Sequence, residues 1–93
     1  MNPSPNALPR LLLVEDDPVS AVFLRDAATA LPAEVDVAGS IADALVLAGS
    51  RRYDLYLIDA NLPDGRGETL LQALRERGLT AAALAHTATR DAT

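Results

Sequence analysis

The chain has 93 residues, with 13 acidic against 8 basic side chains for a net charge of −5, and it contains no cysteine. That length fits one domain with a modest core. The acidic balance argues against nucleic acid as a direct partner. The missing cysteines exclude a disulfide framework and a thiolate metal site, as a reducing compartment would allow. Every basic residue is Arg, and no Lys occurs anywhere. No apolar run approaches the roughly 20 residues of a membrane span, so a soluble, cytoplasmic protein without a membrane partner is expected.

Residues 1–9, "MNPSPNALP", lack the charged and apolar regions of a signal peptide and read as a flexible lead-in. "RLLLVE" follows, a short apolar run suited to a strand buried on both faces. Asp17-Pro18 supplies an N-cap carboxylate and then proline at the first helical position. Val19, Val22, Phe23 and Ala27 recur at helical spacing and are expected to face inward, until Leu31-Pro32 ends the helix. "EVDVAG" alternates apolar and acidic residues, as an edge strand does. Ser40 is placed to cap a second helix with Ile41, Ala44, Leu45 and Ala48 on one face, closed by Gly49. Arg51-Arg52 is too short for a basic patch and suits the negative end of that helix.

"YDLYLID" is a third strand ending in Asp59, and "ANLPDGRG" is a loop by its Pro and Gly content. "ETLLQALRERG" forms a third helix with Leu70, Leu71 and Leu74 inward and Gly78 at its C-terminal cap. "LTAAALAHT" is a fourth strand, weak in propensity because Ala is depleted in sheets. Tyr53, Tyr56 and Phe23 read as core or near-core aromatics, and His86 as a strand residue near the sheet terminus. The order βαβαβαβ, with helix-length crossovers, predicts an α/β fold with a parallel sheet and right-handed connections.

In open parallel sheets the chemistry gathers at the carboxyl ends of the strands. Glu15 and Asp16 end the first strand, and Asp59 ends the third. If those strands are neighbours, three carboxylates meet in one crevice and form part of a hard-cation site suited to Mg²⁺. Asp17 sits better as a cap than as a ligand. The plainer reading of Glu15-Asp16-Asp17 alone is helix capping. Asp59 at a second strand end, with Pro63 and Gly67 in the loop after it, turns the balance toward a site.

The chain resembles the receiver domain of two-component response regulators, a parallel-sheet flavodoxin-like fold. The resemblance rests on "LLLVEDD", "YDLYLIDANLPDGRG" and "ALAHTA" in that order, and runs from about Leu11 to Ala88. It implies a receiver domain over residues 10–93 that lacks the family's last helix-strand-helix portion. It also implies that Asp59 accepts a phosphoryl group from a sensor histidine kinase or phosphotransfer protein. Asp16 would ligate Mg²⁺ directly, Glu15 through water and Asn61 through its backbone carbonyl, while Thr87 would offer the switch hydroxyl. Such a domain is a signalling module rather than an enzyme, though self-catalysed phosphotransfer is compatible with it. The family's Lys, which pairs with the phosphoryl oxygens, has no counterpart here, and Arg90 is a poor substitute. Two further consequences are expected. The fourth strand becomes an uncovered edge and the first helix loses a covering helix, which invites self-association. A pseudo-receiver, acting as an interaction or dimerisation module without phosphorylation, is the alternative function. A phosphatase of the haloacid-dehalogenase type is disfavoured by Asn61, where such enzymes carry a second Asp, and by the absent Lys.

Overall fold

In the computed structural model, residues 8–30, 32–79 and, for the backbone, 82–86 are described. The chain alternates β1 (Arg10–Val14), α1 (Pro18–Thr29), β2 (Glu34–Ala38), α2 (Ile41–Ser50) and β3 (Leu55–Asp59). A short ladder of β4 (Asn61–Leu62) and β5 (Gly65–Arg66) precedes α3 (Gly67–Glu76) and β6 (Ala82–His86). The four main strands form a parallel sheet in the order β2-β1-β3-β6. This is the expected α/β architecture, with β2 on an edge as its acidic alternation predicts. Among the described residues, β6 borders the sheet on the other side. The lead-in over residues 1–7 lies outside the described residues, as do Leu31, Thr87 and Arg90.

β1 and β3 are central because their residues can be buried from both sides. Leu11, Leu12, Leu13 and Val14 are all buried, and so are Tyr56 and Ile58. Leu12, Val14, Tyr56 and Ile58 join Ala44, Ala48, Leu70 and Leu74 in one cluster under α2 and α3, which also pack on each other. Leu11 and Leu13 alternate to the opposite side of the strand, and α1 packs along β1 and β2. Leu70 and Leu74 are one turn apart and fully buried, so α3 presents the stripe its sequence predicts.

The helix ends follow local chemistry. The Asp17 carboxylate accepts from the Ser20 backbone N–H (2.9 Å), with Pro18 at the first position of α1. Ser40 Oγ accepts from the Asp43 N–H (3.1 Å) at the start of α2. At the end of α3, Gly78 takes φ +76°. Its N–H reaches the Arg75 carbonyl (3.0 Å) and the next N–H, of Leu79, reaches Leu74 (2.9 Å), the paired bonds of a Schellman motif. Leu79 then folds back onto the core cluster.

Four expectations need correction. Gly49 does not close α2: the helix runs through Ser50, whose hydroxyl donates to the Val46 carbonyl (2.9 Å), and Arg51 in extended conformation ends it. The segment after Asp59 is a loop only in part, because Asn61 and Leu62 pair antiparallel with Arg66 and Gly65. On α1, Ala21, Leu24 and Ala28 form the half-buried face, while Val19, Val22, Phe23 and Ala27 are exposed. Both stripes are apolar and lie on opposite sides of the helix, so periodicity alone could not choose between them. Phe23, 71% exposed, is therefore not a core aromatic. Tyr53 and Tyr56 are buried and meet at a ring separation of 6.1 Å.

Candidate functional site

β1 and β3 are hydrogen-bonded neighbours, with Val14 opposite Ile58. Parallel pairing brings their carboxyl ends to one level, so Glu15 and Asp16 leave β1 beside Asp59 at the end of β3. One carboxylate oxygen from each of Glu15, Asp16 and Asp59 lies within 4.8 Å of the others. Glu15 and Asp59 are buried and Asp16 is exposed, so the cluster has a floor of two carboxylates and one acidic group at its mouth.

Backbone amides fix the cluster. The Glu15 N–H donates to the Ala38 carbonyl (2.9 Å), which continues the β1–β2 ladder one residue into the site. Glu15 Oε2 accepts from the Asp17 N–H (3.1 Å), and Asp59 Oδ1 accepts from the Asn61 N–H (3.2 Å). Burial pushes the Glu15 carboxyl above its ordinary range, with the nearby charges of Asp59 and Asp16 adding to the effect. Two like charges about 4 Å apart repel by about 4 kcal/mol at an effective dielectric of 20. Holding three carboxyl groups this close is therefore costly unless a cation or protons offset the charge. The donor set is all oxygen, which suits a hard divalent ion such as Mg²⁺ and fits poorly with soft metals. Among the described residues the site thus fits the ion expected there.

Of the sequence-predicted residues, Glu15, Asp16 and Asp59 converge, and Asn61 is tied to Asp59 through its backbone N–H. Asp17 caps α1, as expected. Thr87 lies outside the described residues. His86 ends β6 with its Cα in register with Asp59, a strand residue at the sheet terminus as anticipated. Sequence reasoning missed Asp64. Its Oδ1 accepts from the Ile41 N–H (2.8 Å) and its Oδ2 from the Ala42 N–H (3.1 Å), bridging the segment after β3 to the start of α2. Neither short-range spacing nor a cap motif signals a bond across 22 and 23 residues.

The family model for the response regulator receiver domain matches residues 11–93. The chain belongs to this receiver-domain family of two-component systems. It is 39% identical over 67 residues to the TorCAD operon transcriptional regulatory protein TorR of Escherichia coli K12, a match covering 72% of this chain and 29% of TorR. The receiver thus spans less than a third of that relative. A CheY-like receiver domain from Methylobacillus flagellatus superposes with a TM-score of 0.84 at 30% identity, over 94% of this chain and 75% of the other. The response regulator TrrA of Thermotoga maritima, solved in complex with Mg²⁺-BeF, superposes with a TM-score of 0.83 at 26% identity, covering 89% and 72%. Among the described residues of this receiver, no helix is long and apolar enough to cross a membrane.

Proposed function

We propose that this receiver accepts a phosphoryl group on Asp59 from a histidine kinase or phosphotransfer protein, with Mg²⁺ held by Glu15, Asp16, Asp59 and Asn61. The observation that carries the reading is the approach of three carboxylates within 4.8 Å at the carboxyl ends of two adjacent parallel strands. The Mg²⁺-BeF complex of TrrA supports the same ion here.

Asp59 is a nucleophile by position: buried, at a strand end, with its carboxylate rotation held by the Asn61 N–H on Oδ1. An Asp59 oxygen attacks phosphorus. The new O–P bond forms as the donor's P–N bond breaks, and the electron pair stays on the imidazole nitrogen, which takes up a proton. Asp59 is left as an acyl phosphate. When bound, the cation neutralises charge on the carboxylates and the incoming phosphoryl oxygens, which add about −1.5 to −2. Asp16 and Glu15 hold the negative charge that attracts the ion, and Thr87 is the hydroxyl proposed to meet the phosphoryl group. The 93 residues contain no Lys to pair with those oxygens. A cytoplasmic location fits this role.

One observation favours a second reading, a contact module that works without phosphate. Val19 and Phe23 are 76% and 71% exposed and, with Val22, form an apolar stripe on the first turns of α1. Both readings allow a protein partner there, self-association included, and the phosphoryl adduct separates them. Intact-mass spectrometry after incubation with acetyl phosphate and Mg²⁺ tests the reading against an Asp59→Asn control. A single adduct that needs Asp59 and metal supports the receiver. A folded protein that stays unmodified overturns it in favour of the contact module.

A further inference from the structure

The segment that follows Asp59 is fastened at both ends. At its base, the Asn61 N–H donates to Asp59 Oδ1 (3.2 Å) and the Gly67 N–H to the Ala60 carbonyl (3.0 Å). At its tip, Asp64 accepts from the Ile41 and Ala42 N–H groups with separate oxygens (2.8 and 3.1 Å). Between them, β4 and β5 are two residues each. A ladder this short does not hold itself together in water. Leu62 is buried in the core and anchors one strand, whereas the other strand, Gly65 and Arg66, is exposed. Gly65 also lies close under Ile41: a β-carbon there would come within 2.9 Å of Ile41 Cδ1.

The arrangement caps α2 with a group distant in sequence. Ser40 Oγ already serves the third N–H of α2, and the Ser40 carbonyl accepts from Ala44 (3.0 Å). The two remaining donors, Ile41 and Ala42, are met by a carboxylate from the segment bearing Asn61 rather than by a neighbour in sequence. The two bonds hold the Asp64 carboxyl below the usual carboxylate range, so it is ionised throughout the neutral range and grips the positive end of the α2 dipole.

We propose that Asp64 is a positioning residue for the acidic site: it fastens the β4–β5 hairpin to the N-terminus of α2 and so holds Asn61 against Asp59. The proposal rests on the site reading given under Proposed function. The chain of contacts runs from α2 through Asp64 to the hairpin tip, along the ladder to Asn61, and through its N–H to the candidate nucleophile.

The test compares wild type, Asp64→Ala and Asp64→Asn, the last keeping a single accepting oxygen. Amide hydrogen exchange at Asn61 is read without metal, and Mg²⁺ affinity from the amide shifts of Asp59 and Asn61. Urea unfolding supplies the global stability of each variant. In Asp64→Ala the Asn61 amide is expected to exchange about tenfold faster after correction for global stability, and the Mg²⁺ Kd to rise about tenfold. Asp64→Asn should fall between, and it carries the measurement if the alanine variant fails to fold. Asn61 protection and Mg²⁺ affinity that follow global stability alone would overturn the proposal and reduce Asp64 to a helix cap. If wild type binds no Mg²⁺, the site reading falls. Exchange at Asn61 then still decides whether Asp64 holds the hairpin in place.

Discussion

Gly67 lies directly against the backbone carbonyl of Asp59: a β-carbon built at position 67 would overlap that oxygen and sit 2.9 Å from Ile58 Cγ2. The start of α3 thus presses on the strand end that carries the candidate nucleophile. No flexible side chain can give way, because the nearest obstacle is backbone. Gly67→Ala is expected to cost about 1–3 kcal/mol in urea unfolding, the range for overpacked sites. It should also lower the yield of the acetyl-phosphate adduct, since the shift falls on Asp59 itself. A variant with wild-type stability and full adduct yield would show that the contact relaxes freely.

The core under α2 and α3 makes a second prediction. Leu74 is fully buried, and its carbonyl receives the Leu79 N–H that closes the helix. Leu74→Ala should destabilise by about 2–5 kcal/mol through lost burial and a residual cavity. The denaturant slope should stay unchanged, since the change acts on the folded state. The exposed Val46→Ala serves as the control and should stay within about 0.5 kcal/mol of wild type.

Alkaline stability tests the contact between β2 and the segment that joins α2 to β3. The Tyr53 hydroxyl donates to Asp36 Oδ2 (2.7 Å), which Arg51 Nη1 also approaches (3.4 Å). Burial, with help from Asp36, pushes the Tyr53 phenol up to about 12. The folded state therefore keeps a proton that the unfolded chain has released above about pH 10. Stability from this group is fully present below pH 10 and drains away as pH rises from about 10 to 12, by about 1.4 kcal/mol per unit. Urea unfolding across that window checks the slope, and Tyr53→Phe should flatten it. The same variant should cost about 1–2 kcal/mol at neutral pH through the lost hydrogen bond.

Metal dependence gives opposite signs at a single residue. Mg²⁺ at ten times its Kd should add about 1.4 kcal/mol, or about 6–11 °C in the thermal midpoint of a domain this size. Chelation by EDTA should remove that gain. Glu15→Gln takes away a buried carboxylate that its neighbours repel, so the metal-free midpoint should rise while the Mg²⁺-dependent gain shrinks. A metal-free midpoint that falls would mean that Glu15 is worth more as a hydrogen-bond acceptor than its repulsion costs.

Much of this receiver was legible in its sequence because the decisive chemistry is local. Asp17 and Ser40 cap helices three residues away, and Gly78 takes a left-handed turn that only its own backbone must allow. Leu70 and Leu74 announce their burial by spacing. The alternation of β strands with helix-length crossovers implied parallel pairing, so Glu15, Asp16 and Asp59 were expected to meet if β1 and β3 were neighbours, which the sheet order shows them to be. That convergence was readable because carboxyl ends of parallel neighbours must lie on one side of the sheet.

What only the tertiary structure decided involves choices that local energies leave nearly equal. α1 has apolar residues on both sides, and packing on β1 and β2 selected Ala21, Leu24 and Ala28 over Val19, Val22 and Phe23. The loop after Asp59 acquired a ladder, and Asp64 acquired partners 22 and 23 residues away, because the folded sheet places α2 beside that segment. Such bonds need two parts of the chain to be held at one place, and no short stretch of residues contains that information.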